Sequence, residues 1–162
     1  MPAASVVVLC RNDHGTLGRV LEGLLGQRTE EPFEVVLVDS SDDGGGAALA
    51  TLGTWAFELE VVTSPVGLTT GAARNAGMAR ARGRYLLFLA ADCIPDPDWV
   101  GRRVGWHRAG HPVVAGAVTC ATPRTLAARV QWLSRFSGAL PSGGPRRRTL
   151  PQFAWSYDRE IL

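Results

Sequence analysis

The chain contains no lysine; all 17 of its basic residues are arginines. This absence excludes chemistry that requires a lysine amine. Phosphate-loop nucleotidases with a loop lysine, Schiff-base and pyridoxal enzymes, and protein kinases all fall away. Cysteine is scarce. Cys10, Cys93 and Cys120 are odd in number and form no C-x-x-C pair, so neither a zinc site nor a disulfide framework is expected, and they read as reduced thiols of a cytoplasmic protein. Long apolar runs are missing. Val6–Cys10 is too short for a signal peptide, and no stretch reaches the roughly 20 residues of a membrane span. Carboxylates are almost absent from the second part of the chain. Residues 1–100 hold 7 arginines against 13 acids, a net −6, whereas residues 101–162 hold 10 against 2, a net +8. A basic half of this kind either meets an anionic partner, such as phosphate or lipid headgroups, or forms a solvated arginine face.

At 162 residues and 46% hydrophobic content, the chain is long and apolar enough to bury a core. Short apolar runs alternate with helix-length segments. Ser5–Leu9, Phe33–Asp39, Phe57–Val62, Tyr85–Ala90 and Val113–Thr119 read as strands. Leu17, Val20, Leu21, Leu24 and Leu25 recur at helical spacing over 16–27, and 46–52 and 69–83 also read as helices. Asp96-Pro97-Asp98 and Thr122-Pro123 look like helix starts. In the second of these helices Leu126, Val130 and Leu133 share a face expected to pack on the sheet. Residues 141–151 read as a loop, and Phe153–Leu162 carries mixed signals. Alternating β and α segments predict a three-layer α/β/α, Rossmann-like fold with a mostly parallel central sheet. Ligands of such sheets bind beyond the carboxyl ends of the strands.

Attention therefore falls on 10–13, 39–46 and 90–93. Asp39 ends the second strand, where a carboxylate can accept from a nucleobase or ribose; Asp42, Asp43 and three glycines follow, a composition that reads equally as a turn. Asp92 follows the fourth strand, placed either to hold Mg²⁺ or Mn²⁺ with a diphosphate or to cap a turn. Arg74, in the small-residue segment Gly71–Gly77, could grip a phosphate or pair with a carboxylate. Trp99 and Trp106 read as core or interface residues, with sugar stacking as the other use. No G-x-G-x-x-G follows a strand and no G-x-S-x-G occurs, which argues against dinucleotide-binding and serine-hydrolase sites.

In order, SVVVLCRND (5–13), EVVLVDSSDDGG (34–45), GAARNAG (71–77), RYLLFLAADCIPDPDW (84–99) and FAWSYDREIL (153–162) resemble the family 2 glycosyltransferases of the GT-A fold; Gln27 also stands where that family often has glutamine. The resemblance implies a nucleotide-sugar-binding core over 1–120 and a basic helical and loop extension over 121–162 toward the acceptor. It implies metal-assisted, inverting transfer from a UDP- or GDP-type sugar to an unidentified, lipid-linked or other acceptor. By position, Leu9, Cys10 and Arg11 would border the base, Asp39 would bind it, Asp43 would complete the strand-two turn, and Arg74 would lie by the ribose and phosphates. Ala90-Ala91-Asp92 occupies the D-x-D motif: Ala90 replaces its first aspartate, Ala91 borders the nucleotide, and Asp92 would hold Mg²⁺ or Mn²⁺. The family's catalytic base lies beyond a segment like 153–162, so the base is unassigned. The alternative is a non-catalytic nucleotide-binding module of the same fold. The resemblance implies no nucleic-acid partner, a cytoplasmic and bacterial setting with peripheral contact at the inner membrane face, and room for a second copy or partner chain. With the first strand beside the fourth, Cys10 and Cys93 would both flank the pocket, and Asp39, Asp92 and Arg74 would converge there.

Overall fold

The computed structural model describes residues 1–120, 125–136 and 155–162. Six strands form one sheet in the order β3-β2-β1-β4-β6-β5. They are β1 (Ala4–Cys10), β2 (Phe33–Asp39), β3 (Glu58–Thr63), β4 (Tyr85–Ala90), β5 (Val113–Ala115) and β6 (Trp155–Asp158). β1 pairs in parallel with both β2 and β4, and β3 extends the parallel block. β6 enters antiparallel to β4 and to β5. The helices are α1 (His14–Leu25), α2 (Gly45–Leu52), α3 (Thr70–Arg80), α4 (Trp99–Arg108) and α5 (Leu126–Phe136).

The apolar strands are continuous because both faces of the sheet are covered. Alternate β1 residues serve opposite cores. Val6, Val8 and Cys10 join Leu17, Leu21 and Leu24 of α1 and Val100 and Val104 of α4, whereas Val7 joins Ala73 near the start of α3. α3 sits close to the sheet because its inner face is small: a Cβ on Gly77 would overlap Val7 Cγ1 and stand 3.2 Å from Val38 Cγ2. At the amino edge, Glu34 accepts from Ser5 Oγ (2.6 Å), the Arg82 backbone N–H (2.6 Å) and Arg82 Nε (2.7 Å), which hold its carboxyl below the usual carboxylate range despite burial.

Several expectations change. The fifth strand stops at Ala115. The mixed segment near the carboxyl end forms β6, so a strand of the supposed 121–162 extension lies inside the sheet of the 1–120 core. The Asp96-Pro97-Asp98 helix begins only at Trp99, and Asp98 makes no side-chain cap; its carboxylate instead accepts from Arg28 Nε at 3.1 Å. Leu126, Val130 and Leu133 do not pack on the sheet, being 77%, 57% and 45% exposed. The Thr122-Pro123 start and the 141–151 loop lie outside the described residues. Among the described residues no helix is long and apolar enough to cross a membrane.

Candidate nucleotide site at the carboxyl edge of the sheet

A cavity of about 610 Å³ opens at the carboxyl ends of β1 and β4. Of the residues expected at the nucleotide, Leu9, Cys10 and Arg11 at the end of β1 and Arg74 on α3 line it; Ala90, at the end of β4, lines it as well. Arg74 is set by packing: small α3 residues bring its guanidinium carbon 5.6 Å from the centroid of the Phe88 ring, another lining group. α3 opens on the cavity through Thr69 and Thr70, and Thr69 Oγ1 caps the helix by accepting from the Ala72 N–H (3.3 Å).

Other predicted residues lie elsewhere. Asp39 is 2% exposed, and its carboxylate is engaged inside the protein. Oδ1 accepts from the Ser41 N–H (3.0 Å) and Oδ2 from the Ala47 N–H (2.7 Å), which joins the end of β2 to the first turn of α2. Asp39 thus builds the loop that shapes the cavity, and its neighbour Ser40 is the lining residue. Asp43 is exposed and outside the lining; it accepts from the Gly45 N–H (2.9 Å) and lies 3.9 Å from His14 Nε2. Ala91 is a buried core residue whose carbonyl accepts from Thr16 Oγ1 (2.8 Å). Asp92 is exposed one residue beyond, also outside the lining. The expected convergence of Asp39, Asp92 and Arg74 therefore reduces to Arg74 in the cavity and Asp92 past its β4 side. Cys10 and Cys93 separate in the same way. Cys10 lines the cavity, while Cys93 packs against the core and lies 3.4 Å from Asp92 Oδ1, its thiol pushed up to about 12 by burial and the Asp92 charge. Trp99 has the Arg103 guanidinium over its ring at 5.2 Å, and Trp106 packs edge-on to His111.

Sequence reasoning passed over Ser40 and Asp13, which also line the cavity, although both fall in the strand-end stretches it marked. It also gave Gln27 no task. Gln27 Nε2 donates to the Gly23 and Asp96 carbonyls (3.0 and 2.7 Å), and Oε1 accepts from the Val100 N–H (2.8 Å), so one amide ties α1 to the Asp92–Asp98 loop and to the first turn of α4. The β1 and β2 loops are likewise locked together. Asn12, at φ 60°, donates through Nδ2 to Asp42 Oδ2 (2.9 Å) and accepts at Oδ1 from the Asp42 N–H (3.1 Å). Asparagine tolerates that left-handed backbone better than most residues.

For a divalent cation the donor set is sparse. Among the described residues no group of three His, Cys, Asp or Glu side chains converges. One exposed carboxylate fits Mg²⁺ or Mn²⁺ only when a ligand's phosphates and water supply the remaining oxygens, which is how such ions are often held.

Comparison with known proteins agrees with this architecture. The family model for glycosyl transferase family 2 matches residues 5–162. Glycosyltransferase AglE of Haloferax volcanii is 28% identical over 106 residues, covering 64% of this chain and 35% of that protein. The chain thus spans about a third of that relative's length. Among solved structures, residues 1–349 of TarS from S. aureus in complex with UDP-GlcNAc superpose with a TM-score of 0.65 at 22% identity, covering 76% of this chain and 36% of that one. The mannosyltransferase PcManGT from Pyrobaculum calidifontis, in complex with GDP-Man and Mn²⁺, gives 0.64 at 20% identity, covering 99% and 46%. The α/β sheet with its parallel block is the fold of these GT-A enzymes, and the chain belongs to glycosyl transferase family 2.

Proposed function

We propose that this chain forms the donor-binding part of a glycosyltransferase that moves a sugar from a nucleoside-diphosphate sugar to an acceptor hydroxyl. The observation that carries the reading is the cavity itself. It gathers Leu9, Cys10, Arg11 and Arg74 at the carboxyl edge of the sheet, with Asp92 on the loop that leaves the β4 side. In this reading the nucleoside lies over the β1–β2 ends and the diphosphate extends toward β4. Arg74 offsets phosphate charge from α3. Asp92 would hold Mg²⁺ or Mn²⁺ against the diphosphate; when bound, that cation neutralises the charge that develops on the leaving nucleoside diphosphate. Transfer inverts the anomeric carbon: the acceptor oxygen attacks as the sugar–phosphate bond breaks, and a carboxylate base takes the acceptor proton. The acceptor, lipid-linked or otherwise, approaches from the basic carboxyl-terminal part, and the setting is cytoplasmic.

Ala90 in place of a carboxylate favours a second reading, a nucleotide-binding module without turnover. Calorimetric titration of nucleoside diphosphates with and without Mn²⁺, paired with a transfer and hydrolysis screen over nucleotide-sugars, separates the two. The donor reading expects metal-dependent binding that Asp92→Asn weakens by about tenfold, a loss of 1.4 kcal/mol. Equal binding with and without metal, unaffected by that substitution, refutes the metal role. Binding with no turnover across the panel selects the module.

A further inference from the structure

We propose that Gln27 is a positioning residue for Asp92: by fastening the Asp92–Asp98 loop to α1 it holds that carboxylate in place, and so sets how strongly a divalent cation tightens nucleotide binding. The inference rests on the donor reading.

α1 runs beside this loop and grips it at successive points. In the first turn of the helix, Thr16 Oγ1 donates to the Ala91 carbonyl (2.8 Å). Further along, Gly23 lies against the loop: a Cβ there would stand 3.0 Å from Pro95 Cδ and 3.3 Å from Ile94 Cγ2, and Pro95 is buried. Just past the helix end, Gln27 Nε2 donates to the Asp96 carbonyl (2.7 Å), which also takes the Trp99 N–H (2.9 Å). The Arg28 N–H donates to the Pro97 carbonyl (2.7 Å), and Arg28 Nε to Asp98 Oδ1 (3.1 Å). Pro95 and Pro97 fix two backbone angles between these points.

The Asp92 side chain is left out of this lacing. The Cys93 N–H donates to the Ala90 carbonyl (3.0 Å) and turns the backbone around Asp92, which is exposed. Among the described residues its carboxylate has one hydrogen-bond partner, Cys93 Sγ at 3.4 Å. The backbone is held on both sides while the carboxylate stays open to a ligand.

A lone carboxylate gives a cation little charge, so what the protein adds is place. A group already fixed loses less freedom on binding than one on a loose loop, and partners that orient a metal ligand are worth about tenfold or more in affinity. Gln27 contributes most because one amide serves three backbone groups, the Gly23 and Asp96 carbonyls and the Val100 N–H. The exposed Arg28–Asp98 pair contributes little.

The test is calorimetric titration of the chain with UDP in Mn²⁺ and again in EDTA, read as the ratio of the two affinities. Wild type is expected to give a ratio of about ten, and Asp92→Asn a ratio of about one. Gln27→Ala is expected to lower the ratio about three- to fivefold and to leave the affinity in EDTA within about twofold. In the Asp92→Asn background it is expected to change neither, because its effect passes through that carboxylate. Gly23→Leu pushes on Ile94 and Pro95 from a position where leucine is the better helix former, and is expected to lower the ratio in the same way; it decides the matter where Gln27→Ala fails to fold. Ser5→Ala is the control for stability alone. Ser5 is buried at the amino edge, where its Oγ donates to Glu34 (2.6 Å), so its loss is expected to lower Tm with the ratio unchanged. A variant ratio equal to wild type, equal losses in Mn²⁺ and EDTA, or a further loss in the Asp92→Asn background overturns the inference and leaves the donor site standing. A wild-type ratio of about one overturns the metal role and this inference with it, and failure of UDP to bind overturns the donor site itself.

Discussion

Asp39→Asn tests whether that carboxylate builds the site or touches the ligand. Oδ1 and Oδ2 each accept one backbone N–H in a position that is 2% exposed. Asparagine keeps one acceptor and turns an NH₂ toward the other N–H, so one charge-assisted bond is lost and two donors face each other without water. A buried bond to a charged group is worth about 1.5–3 kcal/mol, and an unpaired donor adds to the loss, so a destabilisation of about 3 kcal/mol is expected. With a urea slope of about 2 kcal/mol/M for a chain of this size, the denaturation midpoint falls by about 1.5 M. The α2 start loosens with it, because a Cβ on Gly46 would stand 2.8 Å from Asp39 Cγ, a measure of how tightly the helix sits on this carboxylate. Urea unfolding followed by circular dichroism gives the midpoint, and UDP titration well below the transition gives the affinity. A wild-type midpoint together with a tenfold loss of UDP affinity would refute the reasoning and put the carboxylate on the nucleotide.

Gly77→Ala is expected to destabilise by about 1–3 kcal/mol, because the added methyl meets Val7 and Val38 beneath α3. Thermal unfolding reads the change, and an unchanged Tm would mean that α3 shifts at little cost. His107 supplies a pH prediction. Its Nδ1 lies 2.7 Å from the His111 carbonyl and its Nε2 2.8 Å from buried Ser156 Oγ, so the ring is neutral with the proton on Nδ1; burial holds its pKa below the usual imidazole range. The unfolded chain therefore binds the proton more readily, and this contribution to stability is complete above about pH 6.5 and is lost as pH falls from there through the lower folded value. Tm measured from pH 7.5 to 5 should drop more steeply for wild type than for His107→Gln, and parallel curves would contradict the assignment.

The elements legible in the sequence were those whose signal is local. The apolar runs of β1, β2 and β4 and the 3.6-residue spacing of Leu17, Val20, Leu21 and Leu24 needed no knowledge of partners. β6 was not legible, because four residues become a strand only by pairing with β4 and β5. Arg103 and His107 were invisible for the same reason: each becomes a buried polar partner of Ser156 only once β6 is in place. That Arg74 and the β1-end residues come to one cavity was legible because they sit in motifs tied to strand ends and to α3. The hydrogen bonds of Asp39 were not legible, because a strand-end aspartate before Ser and Gly has one sequence pattern and two uses, facing a ligand or anchoring the next helix. In the structure the backbone N–H groups of Ser41 and Ala47 engage it in the second use. The start of α4 was displaced because Gln27, just past the end of α1, draws the Asp92–Asp98 loop back and supplies the acceptor for the Val100 N–H.

A crystal structure of the chain soaked with UDP and Mn²⁺ tests the central claim most directly. The account predicts the nucleotide in the carboxyl-edge cavity, its base over the β1–β2 ends, its phosphates toward Arg74, and the ion between the diphosphate and Asp92. Nucleotide density away from this cavity, or an ion bound without contact to Asp92, would contradict it.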